Sequence, residues 1–291
     1  MEIKVVGVVG AGTMGHGITQ VALQAGLQVL LRDVAMGILE RAQSRIASGL
    51  AKGVEKGKFT ETEIEKMLKS LTLTTALSEF SAADFVIEAV TEDFPLKKTI
   101  FEELDRVCRP EVILATNTSS ISITKLAATT SHPSRVIGMH FFNPVALMQL
   151  VEIIRGLATG EKTVAVTRQL AERLGKRPVE ANDYPGFIAN RILMPMINEA
   201  IYARMEGVGT AEAIDTVMQL GANHPMGPLA LADLIGLDVC LAVMRTLCEG
   251  LGDPKYRPCP LLIQMVDAGY LGRKAGRGFY SYEHGGKEQK K

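Results

Sequence analysis

The stretch "IKVVGVVGAGTMGHGITQVALQAGLQVLLRD", residues 3–33, decides the fold. Its opening "IKVVGVV" is β-branched and apolar without helical spacing, as expected of a strand buried on both faces. It runs straight into "GAGTMG", with glycines at 10, 12 and 15. In "HGITQVALQAG" that follows, Ile18, Val21, Ala22 and Ala25 recur at helical spacing and Gly26 is a natural stop. A second apolar run, "LQVLLRD" (27–33), ends in Asp33.

Each part has a physical job. Gly10 permits a tight turn, Gly12 lets backbone approach a pyrophosphate without a Cβ in the way, and Gly15 lets helix and strand pack closely. The helix N-terminus offers free N–H groups to phosphates. Asp33, 18 residues beyond Gly15, is placed to bind ribose hydroxyls. A glycine triplet alone is a common turn; strand, loop, helix, strand and acid in this order are specific. The unit reads as dinucleotide-binding, and the charge of Asp33 argues for NAD over NADP, although Arg32 stands beside it.

Alternation of strands and helices continues outward. "LTLTT" (71–75), "DFVIEAV" (84–90), "VILATN" (112–117), "RVIGM" (135–139) and "MQLVEII" (148–154) are further strand candidates. Phe94, Lys97, Phe101 and Leu104 fall on one helix that starts near Pro95 and ends before Pro110. In an open parallel sheet, ligands gather outside the carboxyl ends of the strands. Glu92, "NTSS" (117–120) and His140 all lie at or near such ends. His140, wedged before Phe141 and Phe142, is either a satisfied core histidine or a base with a carboxylate nearby.

Residues 36–70 interrupt the winding with two charge-rich helices joined around "GKFTE". Arg41, Arg45, Lys52, Lys56 and Lys58 with little apolar surface read as a solvated hairpin. The functional alternative is a basic arm that holds a phosphorylated substrate handle. "DYPGFIANRI" (183–192) marks a boundary, after which helices at 187–206, 210–220, 228–249 and 260–268 follow. "EHGGKEQKK" at the end reads as a solvated tail. The expected class is therefore α/β: a Rossmann-like doubly wound, mostly parallel sheet with a helical insertion after the second strand (residues 1–185), then an all-α C-terminal domain (186–291). A helical domain of this size buries more apolar surface by pairing with a copy of itself, so a homodimer is expected.

The bulk numbers exclude several classes. Basic and acidic residues balance at 32 each, against a nucleic-acid or membrane-surface binder. The start lacks the cationic and apolar regions of a signal peptide, and no apolar run approaches the ~20 residues of a bilayer span. Cys108, Cys240, Cys248 and Cys259 show no CxxC spacing, so no metal site is expected and a reducing, cytoplasmic setting is. His16, His132, His224 and His284 occupy places where histidine is structural or solvated, and the 13 methionines read as core filler.

Seven blocks then carry a resemblance: "GVVGAGTMGHGI", "ATNTSSISI", "GMHFFNPV", "LVEII", "DYPGFIANRI", "GANHPMGPLALADLIGLD" and "GRKAGRGFY". In content and order they resemble the 3-hydroxyacyl-CoA dehydrogenases in their short bacterial form. The resemblance implies His140 as catalytic base, Glu152 as its partner, and Ser119 and Asn190 as hydrogen-bonding groups on the substrate oxygen. For NAD it points to Gly10, Gly12, Thr13, Met14, Gly15, Asp33, Glu92, Lys97, Asn117, Asn143 and Lys274. It also assigns coenzyme A phosphates to lysines of the insertion, with Lys52 and Lys56 as matches and Ser119 at the acyl end. The substrate so implied is a short acyl-CoA such as 3-hydroxybutyryl-CoA. Two other readings stand beside it: a dehydrogenase of a free 3-hydroxy acid on the same fold, and a non-catalytic NAD(H)-binding protein.

Overall fold

The computed structural model describes residues 2–282. The tail expected at "EHGGKEQKK", with His284, lies outside the described residues. The chain divides into two compact units, one ending at Tyr184 and one beginning at Pro185.

In the first unit, β1 (Val5–Val9), α1 (Thr13–Gln24) and β2 (Gln28–Arg32) follow the sequence pattern. The insertion forms α2 (Met36–Glu55) and α3 (Glu61–Lys69), and β3 (Leu71–Thr74) returns to the sheet. Then come β4 (Phe85–Glu88), α4 (Phe94–Val107), β5 (Ile113–Thr116), α5 (Ile123–Ala127), β6 (Val136–Phe141), β7 (Leu150–Arg155), α6 (Glu161–Arg173) and β8 (Arg177–Asn182). The strands form one sheet in the order β3-β2-β1-β4-β5-β6-β7-β8. Only β6 and β7 pair antiparallel. The order reverses between β1 and β4, which opens a crevice at their carboxyl ends.

One sequence expectation changes in this unit, and two elements appear that the sequence pattern does not announce. The insertion is not simply a solvated hairpin, because Leu39, Ala42, Ile46 and Leu50 are buried at helical spacing and join the main core. Its basic residues Arg41, Arg45, Lys52, Lys56 and Lys58 occupy exposed positions. The strand β8 and helix α6 were not anticipated. β8 carries Pro178 and exposes most of its residues, as an edge strand tolerates, so it lacks a buried strand's apolar signature.

The second unit holds α7 (Ala189–Met205), α8 (Ala211–Gly221), α9 (Pro228–Ile235), α10 (Leu237–Leu251) and α11 (Pro260–Asp267) around its own apolar core. The single helix expected over 228–249 is broken at Gly236, whose φ of 105° lies outside helical space. Two buried carboxylates organise this unit. Asp215 accepts from the N–H groups of Leu229 and Ala230 at the start of α9 and from the Tyr280 hydroxyl. Asp233 accepts from the N–H groups of Phe279 and Tyr280 and from the Tyr282 hydroxyl, and its burial pushes its carboxyl above the ordinary range. A Cβ at Gly278 would lie 1.9 Å from Asp233 Oδ1, so this segment needs glycine there.

Acid sensitivity of the first unit follows from Asp84 and Asp105. Burial opposes ionisation of both. For Asp84 it is outweighed by N–H groups of Lys4 and Val5 and by Arg109. For Asp105 it is outweighed by Arg135 and the Ser131 N–H. Both therefore titrate below 3.8 in the folded chain. Their contribution is complete above the unfolded value near 3.8 and disappears as pH falls through the lower folded values. Thermal melts should show a midpoint that drops steeply below about pH 4, and Asp105→Asn should flatten that drop. An unchanged acid limb in the variant would contradict the assignment.

Candidate active site

The loop after β1 meets the demands of a phosphate cradle. Gly10 has φ 101°, and a Cβ there would lie 2.6 Å from the Ala89 carbonyl oxygen at the end of β4. Gly15 is tighter still, since its Cβ would overlap the Gly10 carbonyl at 1.7 Å. At Gly12 a Cβ would meet nothing within 4 Å, which leaves the face of the loop open where a diphosphate must approach. Thr13 and Met14 begin α1, whose first N–H groups have no partner within the helix. His16 is structural, its Nδ1 lying 2.8 Å from the Gly12 carbonyl. Asp33 directly follows β2, and its Oδ2 accepts from the Ala11 N–H at 2.7 Å, which ties the acid to the glycine loop. Arg32 is directed elsewhere, toward the Thr75 carbonyl. These residues fit a dinucleotide with unmodified ribose.

On the other side of the crevice, β6 and β7 bring two titratable groups together. Their antiparallel register makes His140 and Glu152 direct partners. His140 Nδ1 lies 2.8 Å from Glu152 Oε2, with the residues 8% and 2% exposed. The Phe142 ring stacks on the imidazole at 4.6 Å between centroids, tilted by 42°. Phe141, the next residue along the strand, belongs to the main core, so of the two phenylalanines Phe142 is the one that meets the imidazole.

Neighbouring loops complete this edge. Asn117 Oδ1 accepts from the Phe141 N–H at 2.9 Å, which links the end of β5 to the end of β6. Glu92 gathers the "NTSS" loop: it accepts from the Thr118 hydroxyl and from the Ser119 hydroxyl and N–H. Asn143 is exposed and precedes Pro144 through a cis peptide bond. Lys97, placed by its spacing among apolar residues, is 1% exposed and bonds both oxygens of Glu88 at 2.7 and 3.0 Å. Glu88 also accepts from the Thr116 hydroxyl at 2.6 Å and the Val90 N–H at 2.6 Å. Glu88 was missed by the sequence reading; an acid inside "FVIEAV" nine residues before a lysine on an apolar stripe was its signal.

Asn190 and Lys274 belong to the second unit. Asn190 sits in the first turn of α7, and the Lys274 ammonium pairs with the Asp238 carboxylate at 2.6 Å. Lys52 lies in the last turn of α2 and Lys56 caps its end. Among the described residues no His, Cys, Asp and Glu group could hold a metal, and no helix is long and apolar enough to cross a membrane.

Comparisons with known proteins cover both units. Residues 5–184 match the family model described as 3-hydroxyacyl-CoA dehydrogenase, NAD binding domain. Residues 186–282 match the model described as 3-hydroxyacyl-CoA dehydrogenase, C-terminal domain. A probable 3-hydroxybutyryl-CoA dehydrogenase of Bacillus subtilis is 56% identical over 97% of this chain and 99% of its own length. A 3-hydroxybutyryl-CoA dehydrogenase of Bradyrhizobium diazoefficiens is 53% identical over 96% of each chain. The crystal structure of the (S)-3-hydroxybutyryl-CoA dehydrogenase of Ralstonia eutropha superposes with a TM-score of 0.95 at 50% identity, covering 97% of this chain and all of the other.

Proposed function

Because this chain belongs to the 3-hydroxyacyl-CoA dehydrogenase family, we propose that it oxidises short (S)-3-hydroxyacyl-CoA thioesters to 3-oxoacyl-CoA with NAD, and runs the reverse reduction. The observation that carries this reading is the His140–Glu152 pair at 2.8 Å, with His140 near the carboxyl end of β6, the same end of the parallel strands from which the glycine loop leaves β1. Bound NAD supplies the acceptor for the hydride that leaves the hydroxyl-bearing carbon. A carboxylate can only accept, so the bond from Nδ1 places the imidazole proton there and leaves Nε2 to take the hydroxyl proton. Glu152 also stabilises the imidazolium that forms.

Ser119 and Asn190 hold the substrate oxygen in line with the hydride path, Ser119 being set in turn by Glu92. Gly10, Gly12, Thr13, Met14, Gly15 and Asp33 hold the diphosphate and one ribose. Glu92, Lys97, Asn117, Asn143 and Lys274 form the remaining cofactor contacts in this reading. The exposed lysines at the end of α2, Lys52 and Lys56, grip the coenzyme A phosphates. Exposed Ile192, Val208, Val217 and Leu220 on the second unit support pairing with a second copy of the chain.

The test follows NADH absorbance with acetoacetyl-CoA and, in parallel, free acetoacetate, each repeated with NADPH. Fast oxidation of NADH by the thioester alone is expected. Lys52→Ala/Lys56→Ala should raise KM for the thioester about three- to tenfold and leave kcat in place, as two exposed ion contacts imply. Equal rates with the free acid, or an unmoved KM, would return the basic insertion to a solvated face and move the substrate to a free hydroxy acid.

A further inference from the structure

Of the buried cations that the mechanism leaves unused, Arg135 pairs with Asp105, whereas Lys176 is held by backbone carbonyls. Lys176 stands between α6 and β8, 8% exposed, and no carboxylate is among its hydrogen-bond partners in the described residues. Its ammonium donates instead to two backbone carbonyls, those of Val145 and of Met148 (2.9 Å). Both lie in the loop that joins β6 to β7. That loop turns on the Pro144 carbonyl, which accepts from the N–H groups of Leu147 and Met148. Its first part carries Phe142, stacked on the His140 ring. Its Val145 side chain is buried against Gly17 of α1, where an added Cβ would lie 2.9 Å from the valine Cβ.

We infer that Lys176 is a positioning residue, whose ammonium clamps the β6–β7 loop so that Phe142 stays on the imidazole and Val145 stays on the nucleotide helix. The inference rests on reading His140 as the base. Physically, a buried ammonium on neutral acceptors is costly, and burial accordingly pushes Lys176 below the ordinary lysine range. A side chain needed only to fill this volume could be apolar. The charge supplies donors to turn carbonyls that the sheet ladder does not reach, and it ties one loop to both halves of the crevice.

The experiment compares wild type with Lys176→Ala, with and without propylammonium, which matches the four heavy atoms removed. Steady-state NADH oxidation with acetoacetyl-CoA gives kcat and KM, and NADH fluorescence titration gives Kd. Loss of the clamp should lower kcat about tenfold or more, as small misplacements near reacting atoms do. NADH Kd should weaken several-fold, and propylammonium should restore part of both. A kcat and NADH Kd within twofold of wild type, whatever the melting temperature does, would overturn the inference. Should Lys176→Ala not fold, Val145→Ala keeps the lysine and removes the foothold on Gly17. It should weaken NADH binding in the same direction, and an unchanged Kd would overturn the inference. The titration reads the clamp even if wild type turns over no thioester, so failure of the clamp and failure of the proposed activity remain distinguishable.

Discussion

His140→Ala should bind NADH nearly as wild type does and lose turnover by about 10²–10⁴-fold, the usual worth of a positioned acid–base group. The imidazole is the β6 side chain that meets the buried Glu152 carboxylate across the strand register. Removing it leaves the glycine loop and Asp33 untouched, since they sit on β1, α1 and β2. Glu152→Gln should also lower turnover strongly, because the amide can donate to Nδ1 and so favour the wrong tautomer, and it cannot offset the imidazolium charge. Single-turnover rates with pre-bound NADH separate these effects from cofactor affinity. A His140→Ala enzyme that keeps most of its turnover would remove this residue from the base role.

Lys97→Met should destabilise the first unit by about 3–5 kcal/mol, because it strands Glu88 as an unpaired buried charge. In a unit of this size that corresponds to a melting midpoint lower by roughly 6–20 °C. Glu88→Leu/Lys97→Met replaces the whole pair with apolar groups and should recover most of the loss, since desolvation of both ions is then avoided. NADH titration of the double variant asks a second question. The pair also holds Val90 and Thr116, on either side of the turn leading to Glu92. If the double variant melts like wild type yet binds NADH poorly, the ion pair shapes the cofactor wall beyond stabilising the sheet. Equal stability of the Lys97→Met single variant and wild type would contradict the buried-charge argument.

Much of this architecture was legible in the chain because burial on both faces writes an unambiguous signature. β1 is apolar throughout, β4 and β5 are apolar up to their closing Glu88 and Thr116, and all three read directly as central strands. β8 and α6 left no such signature, one being a half-exposed edge strand with a proline and the other a short amphipathic helix rich in charge. The burial of α2 was obscured because Leu39, Ala42, Ile46 and Leu50 are spread among lysines and arginines. At the site, the glycine loop and Asp33 were readable from spacing, since each follows from the geometry of a single turn. The partnership of His140 with Glu152 was not, because it depends on β7 running antiparallel, which a separation of 12 positions in the chain does not dictate. That partnership entered through resemblance, and register then supplied the contact. Glu88 and Lys176 show the same limit: their roles arise from partners brought near by tertiary packing.

The most direct measurement incubates wild type with NAD and, separately, (S)- and (R)-3-hydroxybutyryl-CoA while NADH absorbance is followed. NADH should form with the (S) thioester and little with the (R), and acetoacetyl-CoA should appear in an amount equal to the NADH. Absence of NADH with either enantiomer, in a preparation that binds NADH, would contradict it.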